Sequence, residues 1–456
     1  MKKQWLNYLK DAEKRLGKDS ESELSVRSQY QRDFDRVVFS STFRRLQNKT
    51  QVLPLPKSDY VRNRLTHSLE TASVGRSLGN IVGERVLEKH PEIKKQVRIS
   101  SFDFGYMVSA ACLAHDIGNP PFGHAGEDAI SHYFTGKDAE KFIRNFSDKE
   151  KEDLRNFEGN SAGFRLLAQT LQSLSEFQGG LNLTYGTYGS FMKYPKESLP
   201  KRKIEGKASL KKYGVFQTEM SQMEKIAQKL NLIEHENTPG NKAWKRFPLA
   251  FLVEAADDLC YTIIDYEDGF NIGLISFEEI TAAFTNILEL TGNQAYKTKL
   301  KKIKDKRSQI NYLRSVLINE LIFKISEVFM ENEQAIVKGE FDSPLMDCLA
   351  NPVKNALSEI NRSSIDKVYQ SETVLKIESA GFQVVPYLLH TFIAAVLGKH
   401  EYKGQKQILK ILPNQYKCGD TDYEKALNIT MFVSGMTDRY AVELYKNLKG
   451  IELAGY

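Results

Sequence analysis

"ACLAHDIGNPPFGHAGE", residues 111–127, closes an apolar run with His115 beside Asp116, bends through Gly118, Asn119, Pro120 and Pro121, and resumes with a second histidine, His124. The chain has 8 histidines in 456 residues, and His67, His115, His124 and His132 all fall in this neighbourhood. That clustering directs the search for a site. Upstream, "FGYMVSAACLAHDIG" reads as a buried helix, which the Gly-Asn-Pro-Pro sequence must end because proline cannot donate to the helical ladder. Adjacent helical residues diverge by roughly 100°, so His115 and Asp116 can converge on one ion only if it sits beyond the helix end.

Two further segments complete the pattern. "NRLTHSLETASVGRSLGNIVGERV" reads as a helix on which His67 shares an inward face with Val74, Leu78 and Ile81. Leu65, Leu69 and Ala72 form a second apolar stripe, which predicts burial on both faces. Alone, His67 reads as a hydrogen-bonded core histidine. In "FPLAFLVEAADDLCYTIIDYEDG", Pro248 suits a first helical turn and Gly269 a stop. Ala256, Leu259 and Ile263 form the packing face, while Asp257, Tyr261 and Asp265, at i, i+4 and i+8, form a second face that reads either as a solvated acidic stripe or, given Tyr261 and the apolar lead-in, as one facing a cavity. Together, one histidine, a His-Asp pair and a later aspartate on three buried helices supply a mixed nitrogen and oxygen ligand set. Such a set suits Mn, Fe, Co, Ni or Zn, and Mg less readily.

The rest of the chain agrees with a helical protein. Helical apolar spacing in "SQMEKIAQKLNLIEH" and "LRSVLINELIFKISEVFM", with only 13 prolines, predicts a mainly α fold. There is no alternating βα pattern, and neither glycine-rich phosphate loop, GxxxxGK[ST] or GxGxxG, is present. Residues 134–160, 192–214 and 399–420 break the rhythm and are expected to be loops or short hairpins. The net charge of +6 is spread over 27% charged residues, a weak preference for anionic ligands. The basic 192–214 loop makes single-stranded nucleic acid a candidate secondary ligand. No apolar export signal follows the N-terminal lysines, and "VVPYLLHTFIAAVLG" is shorter than the ~20 residues of a spanning helix. A cytoplasmic protein without membrane contact is expected. The cysteines, Cys112, Cys260, Cys348 and Cys418, form no CxxC pair and read as buried thiols.

The ordered pattern of His67, His115-Asp116 and Asp257 resembles the HD superfamily of metal-dependent phosphohydrolases. The strings "RNRLTHSLE", "HDIGNPPFGHAGE", "VEAADDLCY" and "SGMTDRYAVELY" are similar to those of bacterial deoxyguanosine triphosphate triphosphohydrolases. That resemblance implies an all-α fold: an N-terminal helical extension (1–24), an HD core (25–280) and a C-terminal helical region (281–456) with a few short hairpins or loops. It implies hydrolysis of a dNTP, dGTP foremost, at the α-phosphorus to deoxynucleoside and inorganic triphosphate, with a divalent ion, Mn²⁺ or Mg²⁺ foremost. A homo-oligomer, commonly a hexamer, is implied too.

Carried over residue by residue, the implied metal ligands are His67, His115, Asp116 and Asp257, and the implied catalytic pair is His124 with Glu127. Arg64 would meet a phosphate, Tyr261 would pack where a 2′-hydroxyl would sit, and Asp265 would accept from the 3′-hydroxyl. Gln51 is a sugar-contact candidate and Lys193 a phosphate candidate. His124 could serve as general acid-base or as nucleophile. Alternatives are an HD enzyme for a 5′-nucleotide, cyclic nucleotide or alarmone, and a nucleotide-sensing or nucleic-acid-binding module. The extended "GNPPFGHAGE" string, with Tyr261 and Asp265 following Asp257 at i+4 and i+8, favours the triphosphohydrolase, since a generic HD site requires neither that string nor those two side chains.

Overall fold

Helices make up nearly all regular structure in the computed structural model, which describes residues 1–16, 26–51, 61–169, 180–200, 207–236, 238, 240–398 and 403–451. The helices that frame the site are, in chain order, α1 (Lys2–Leu9), α2 (Arg64–Lys89), α3 (Ser101–Ala114), α4 (Gly123–Thr135), α5 (Gly159–Ala168), α6 (Ala250–Asn271), α7 (Asn351–Ser364), α8 (Glu372–Leu397), α9 (Asp422–Ser434) and α10 (Asp438–Lys449). Among the described residues, extended segments meet only at isolated bridges such as Lys196 with Ala243 and Glu197 with Val215. The 192–214 segment, expected as a loop or short hairpin, makes single bridges to Ala243 and Val215, and its residues 201–206 lie outside the described residues.

The central helix is α3, which buries every residue from Met107 to Ala114. It can lie close to α2 because α2 presents Gly75, Gly79 and Gly83 at four-residue intervals. A Cβ at Gly79 would fall 2.8 Å from Gly105 Cα and 2.8 Å from Phe104 O, so backbone meets backbone there. At the far end of α2, buried Glu333 accepts from Trp5 Nε1, His90 Nε2 and Lys89 Nζ at 2.8, 2.8 and 2.6 Å, which pins α1 onto the same core.

Two clusters of buried apolar side chains result. One joins Trp5, Phe104, Leu259 and Leu321, and the other joins Ile130, Phe216, Leu388 and Phe432. His67, His115 and Asp257 stand over the first and His124 over the second, so the site lies at their seam. Helix α8, built around "VVPYLLHTFIAAVLG" with Pro386 inside it, lies in the second cluster. By length and composition it is the one helix among the described residues that could cross a membrane, and 44% of its most apolar window is buried.

Several expectations need correction. The charged 134–160 segment contains helices Lys137–Ile143 and Asp148–Arg155, the second begun by a Ser147/Glu150 capping box, so its charges are the solvated faces of short helices. Likewise Lys403–Ile411 is helical within 399–420. Leu69 is 43% exposed, so the second stripe of α2 is only partly covered. Gly269 does not end α6, which continues to Asn271. A Cβ there would come 2.8 Å from Ile275 and Val368 side chains, so close packing explains the glycine. Cys348 and Cys418 are exposed, unlike Cys112 and Cys260, because they lie on peripheral turns.

Gly79→Ala tests the ridge. Helix propensity alone would stabilise by up to about 1 kcal/mol, but the backbone contact should reverse the sign and cost about 1–3 kcal/mol. Thermal unfolding measures it, and an unchanged or raised melting temperature would show that α2 and α3 can separate freely.

Candidate metal centre and its cavity

The turn after α3 places His115 so that its Nδ1–H donates to Cys112 O at 2.6 Å. This bond keeps a proton on Nδ1, so deprotonation of the ring frees the Nε2 lone pair, the usual preparation of an imidazole for a metal ion. Nε2 of His115 and Nε2 of His67 each lie 3.2 Å from Oδ1 of Asp257. One ligand atom from each of these residues falls within 4.8 Å of the others, a triangle that fits a divalent cation. Asp257 Oδ2 takes the Lys193 ammonium at 2.5 Å instead. Burial opposes ionisation of Asp257, but Lys193 and the two histidines outweigh it and hold the carboxyl well below the usual range. Burial also disfavours a charged His115, yet Asp116 and Asp257 prevail and push its imidazole up to about 9.

Asp116 stands beside the triangle. Its Oδ1 is 3.5 Å from His115 Nε2 and accepts from Asn119 Nδ2, while its Oδ2 accepts from Arg64 Nη1 at 2.7 Å. Arg64 is thus a buried residue, 5% exposed, with its guanidinium tied to the HD turn.

His124 enters through a strained bend. Phe122 (φ 66°) and Gly123 (φ 61°) both have left-handed backbones, which for phenylalanine costs roughly 1–2 kcal/mol. The His124 Nδ1–H donates to Glu127 Oε2 at 2.8 Å, as the i, i+3 spacing on α4 allows. Glu127 Oε1 accepts from the Gly159 N–H at 2.7 Å, at the positive end of α5. The Glu127 hydrogen bond raises the pKa of His124 against its partial desolvation. Glu127 itself is buried, but its bond to His124, Lys212 and the Gly159 N–H keep it below the ordinary carboxyl value.

These groups open on a cavity of about 350 Å³. Gln51, Arg64, Lys193, Asp258 and Tyr261 also line it, together with Lys212 and Tyr369. Tyr261, 38% exposed, stacks on Tyr369 with ring centroids 5.6 Å apart and planes 13° from parallel. Asp265 does not reach the cavity wall. It is 1% exposed, its Oδ2 accepts from the Tyr369 hydroxyl at 2.6 Å, and burial pushes its carboxyl up to about 7. Another cavity, of about 390 Å³ beside Gln29, Arg98 and Asp103, contains none of the candidate ligands.

Sequence reasoning missed Asn119, Lys212 and Tyr369. Asn119 lay inside a quoted motif, where its spacing of three from Asp116 was a usable signal. Tyr369 had none: it sits on a π-helical turn, Ile365–Tyr369, that follows α7. Such turns frequently mark functional positions.

Residues 64–169 match the HD domain family, and residues 348–447 match the phosphohydrolase-associated domain family. A deoxyguanosinetriphosphate triphosphohydrolase-like protein of Synechocystis sp. is 40% identical over 459 residues, covering 99% of this chain and 100% of the relative. One of the same description from Pseudomonas aeruginosa is 36% identical, covering 96% and 97%. A deoxyguanosinetriphosphate triphosphohydrolase of Yersinia enterocolitica is 28% identical, also covering 96% and 97%.

Metal binding should be coupled to proton release. His115 at about 9 must deprotonate to bind, so affinity for Mn²⁺ or Co²⁺ should rise about tenfold per pH unit between about pH 6 and 8. Calorimetry in buffers of different ionisation enthalpy reads the protons directly, and a flat affinity would remove His115 from the ligand set. Asp257→Asn should lose the metal while Asp258→Asn keeps it, since only Asp257 faces both imidazoles.

Proposed function

We propose, on the premise that this chain belongs to the deoxyguanosinetriphosphate triphosphohydrolase-like family of HD-domain proteins, that it hydrolyses deoxynucleoside triphosphates, dGTP foremost, to deoxynucleoside and inorganic triphosphate. In coarser terms it is a metal-dependent HD phosphohydrolase acting on nucleotides. One juxtaposition supports the finer reading: the donor triangle and the His124–Glu127 pair line the same cavity of about 350 Å³.

Within this reading His67, His115 and Asp257 hold the cation, with Asp116 as fourth ligand. A divalent ion there supplies Lewis-acid polarisation of the phosphoryl oxygens and orients water. Arg64, Lys193 and Lys212 bring positive charge to the triphosphate, each already tethered to a carboxylate and so held in place. Water adds to the α-phosphorus and the bond to the 5′-oxygen breaks, which leaves an alkoxide in need of a proton. His124, kept protonated by Glu127, supplies it, so general acid catalysis is preferred to nucleophilic attack.

Tyr261 presents its ring to the sugar, and the stacked Tyr369 stops it from moving aside. A 2′-hydroxyl against that ring would be buried without a partner, at a cost of about 1–3 kcal/mol. The 3′ side is met by the Tyr369 hydroxyl, which donates to Asp265 and still has lone pairs to accept from the sugar. Asp265 acts from behind.

Incubation with each dNTP and Mn²⁺ or Mg²⁺, with products separated by chromatography, tests the reading. Triphosphate is expected, with rNTPs cut at least about tenfold more slowly; released monophosphate or pyrophosphate would indicate another HD chemistry. His124→Ala should lower kcat about 100- to 10,000-fold with metal retained. In wild type the acid form of His124 is lost as pH rises through its raised pKa. Glu127→Gln should therefore move the alkaline limb of kcat to lower pH, and an unmoved limb would exclude His124 as the proton donor.

A further inference from the structure

The bend that delivers His124 is held from a distant part of the chain. The Phe122 N–H donates to Oδ1 of Asp438 at 3.0 Å, and that carboxylate is 1% exposed. Its Oδ2 accepts from the Thr50 N–H at 2.9 Å and from the Thr50 hydroxyl. Just before Asp438, Ser434 Oγ donates to Gly118 O at 3.2 Å, and Lys49 Nζ spans Ser434 O at 2.8 Å and Asn119 O. The corner between α9 and α10 thus grips the HD turn at Gly118, Asn119 and Phe122. Phe122 and Thr50 line the cavity, whereas Asp438 and Ser434 do not.

A buried carboxylate with donors on both oxygens has little freedom to move, because any displacement leaves charge or an N–H unsatisfied. It joins two walls of the cavity, the strip carrying Gln51 and the turn carrying His124. The left-handed Phe122 has no helical partner for its N–H, and Asp438 supplies one. We propose that Asp438 is a positioning residue for turnover: by clasping Phe122 and Thr50 it fixes where His124 stands relative to the metal centre. The inference rests on His124 being the proton donor.

The test is a double-mutant cycle between Asp438→Asn and His124→Ala, with metal stoichiometry and cooperative melting measured for every variant. An amide can accept on one side only, so Asp438→Asn loses part of the clasp. A misplaced reacting group costs up to about a hundredfold, so kcat should fall about ten- to a hundredfold, KM should change less than about threefold, and bound metal should stay. In the His124→Ala background the same substitution should change kcat less than about twofold, because there is no imidazole left to place. An undiminished kcat in Asp438→Asn, or an equal loss in both backgrounds, overturns the proposal. If His124→Ala alone leaves kcat unchanged, the proton-donor reading fails, and that arm shows it independently. Should Asp438→Asn not fold cooperatively, Thr50→Val removes only the hydroxyl donor. Its expected loss is about three- to tenfold, again absent beside His124→Ala, and persistence there overturns the proposal as well.

Discussion

The carboxylate of Asp257 is the group on which the separate parts of this molecule depend. Desolvating an ion costs several kcal/mol unless close partners replace the water. Here they come from α2, from the end of α3 and from the segment after Phe191, in the form of His67, His115 and Lys193. Its two oxygens divide the work: Oδ2 takes the lysine and Oδ1 faces the imidazoles. No one of these segments is satisfied alone, so the electrostatic requirement of the site is also a requirement on how the helices assemble.

Close packing makes that assembly feasible. The glycine ridge on α2 lets α3 approach until backbone touches backbone, which brings His67 and His115 to a ring separation of 5.3 Å. On the other side of the seam, His124 stands on α4, whose Ala129, Ile130 and Phe134 pack into the other apolar cluster, and it enters the cavity just after the left-handed bend at Phe122. The site therefore combines a rigid half, where helix packing sets the geometry, with a half set by hydrogen bonds to a buried carboxylate.

Much of this was legible because the chemistry is local. The His115-Asp116 pair at a helix end and the polar 257/261 face of α6 follow from helical geometry, whereas the pairing of His124 with Glu127 was implied by the family resemblance and is allowed by its i, i+3 spacing. Periodicity likewise predicted α2 and α6. The failures share a cause. Charge density in 134–160 looked like a loop because the capping boxes that begin short helices carry little apolar signal. Asp265 was expected at the cavity wall because its spacing from Asp257 is right, but Tyr369, from a π turn over a hundred residues later, occupies that place. Asp438 lay within a quoted string, yet nothing local reveals that its partners are Phe122 and Thr50. Long-range hydrogen bonds leave no periodic trace.

The dispersal of the ligand set bears on the order in which the protein is made. Both His67 and His115 have been made about 140 residues before Asp257 and more than 300 before Asp438. At synthesis rates of about 5–20 residues per second, the nascent chain carries the two imidazoles without Asp257 for roughly 7–28 s. In that interval the two histidines have only Asp116 beside them, a set of two nitrogens and one carboxylate. Only when α6 docks do both carboxylates stand against the two imidazoles, so completion of the site is coupled to completion of the helical core.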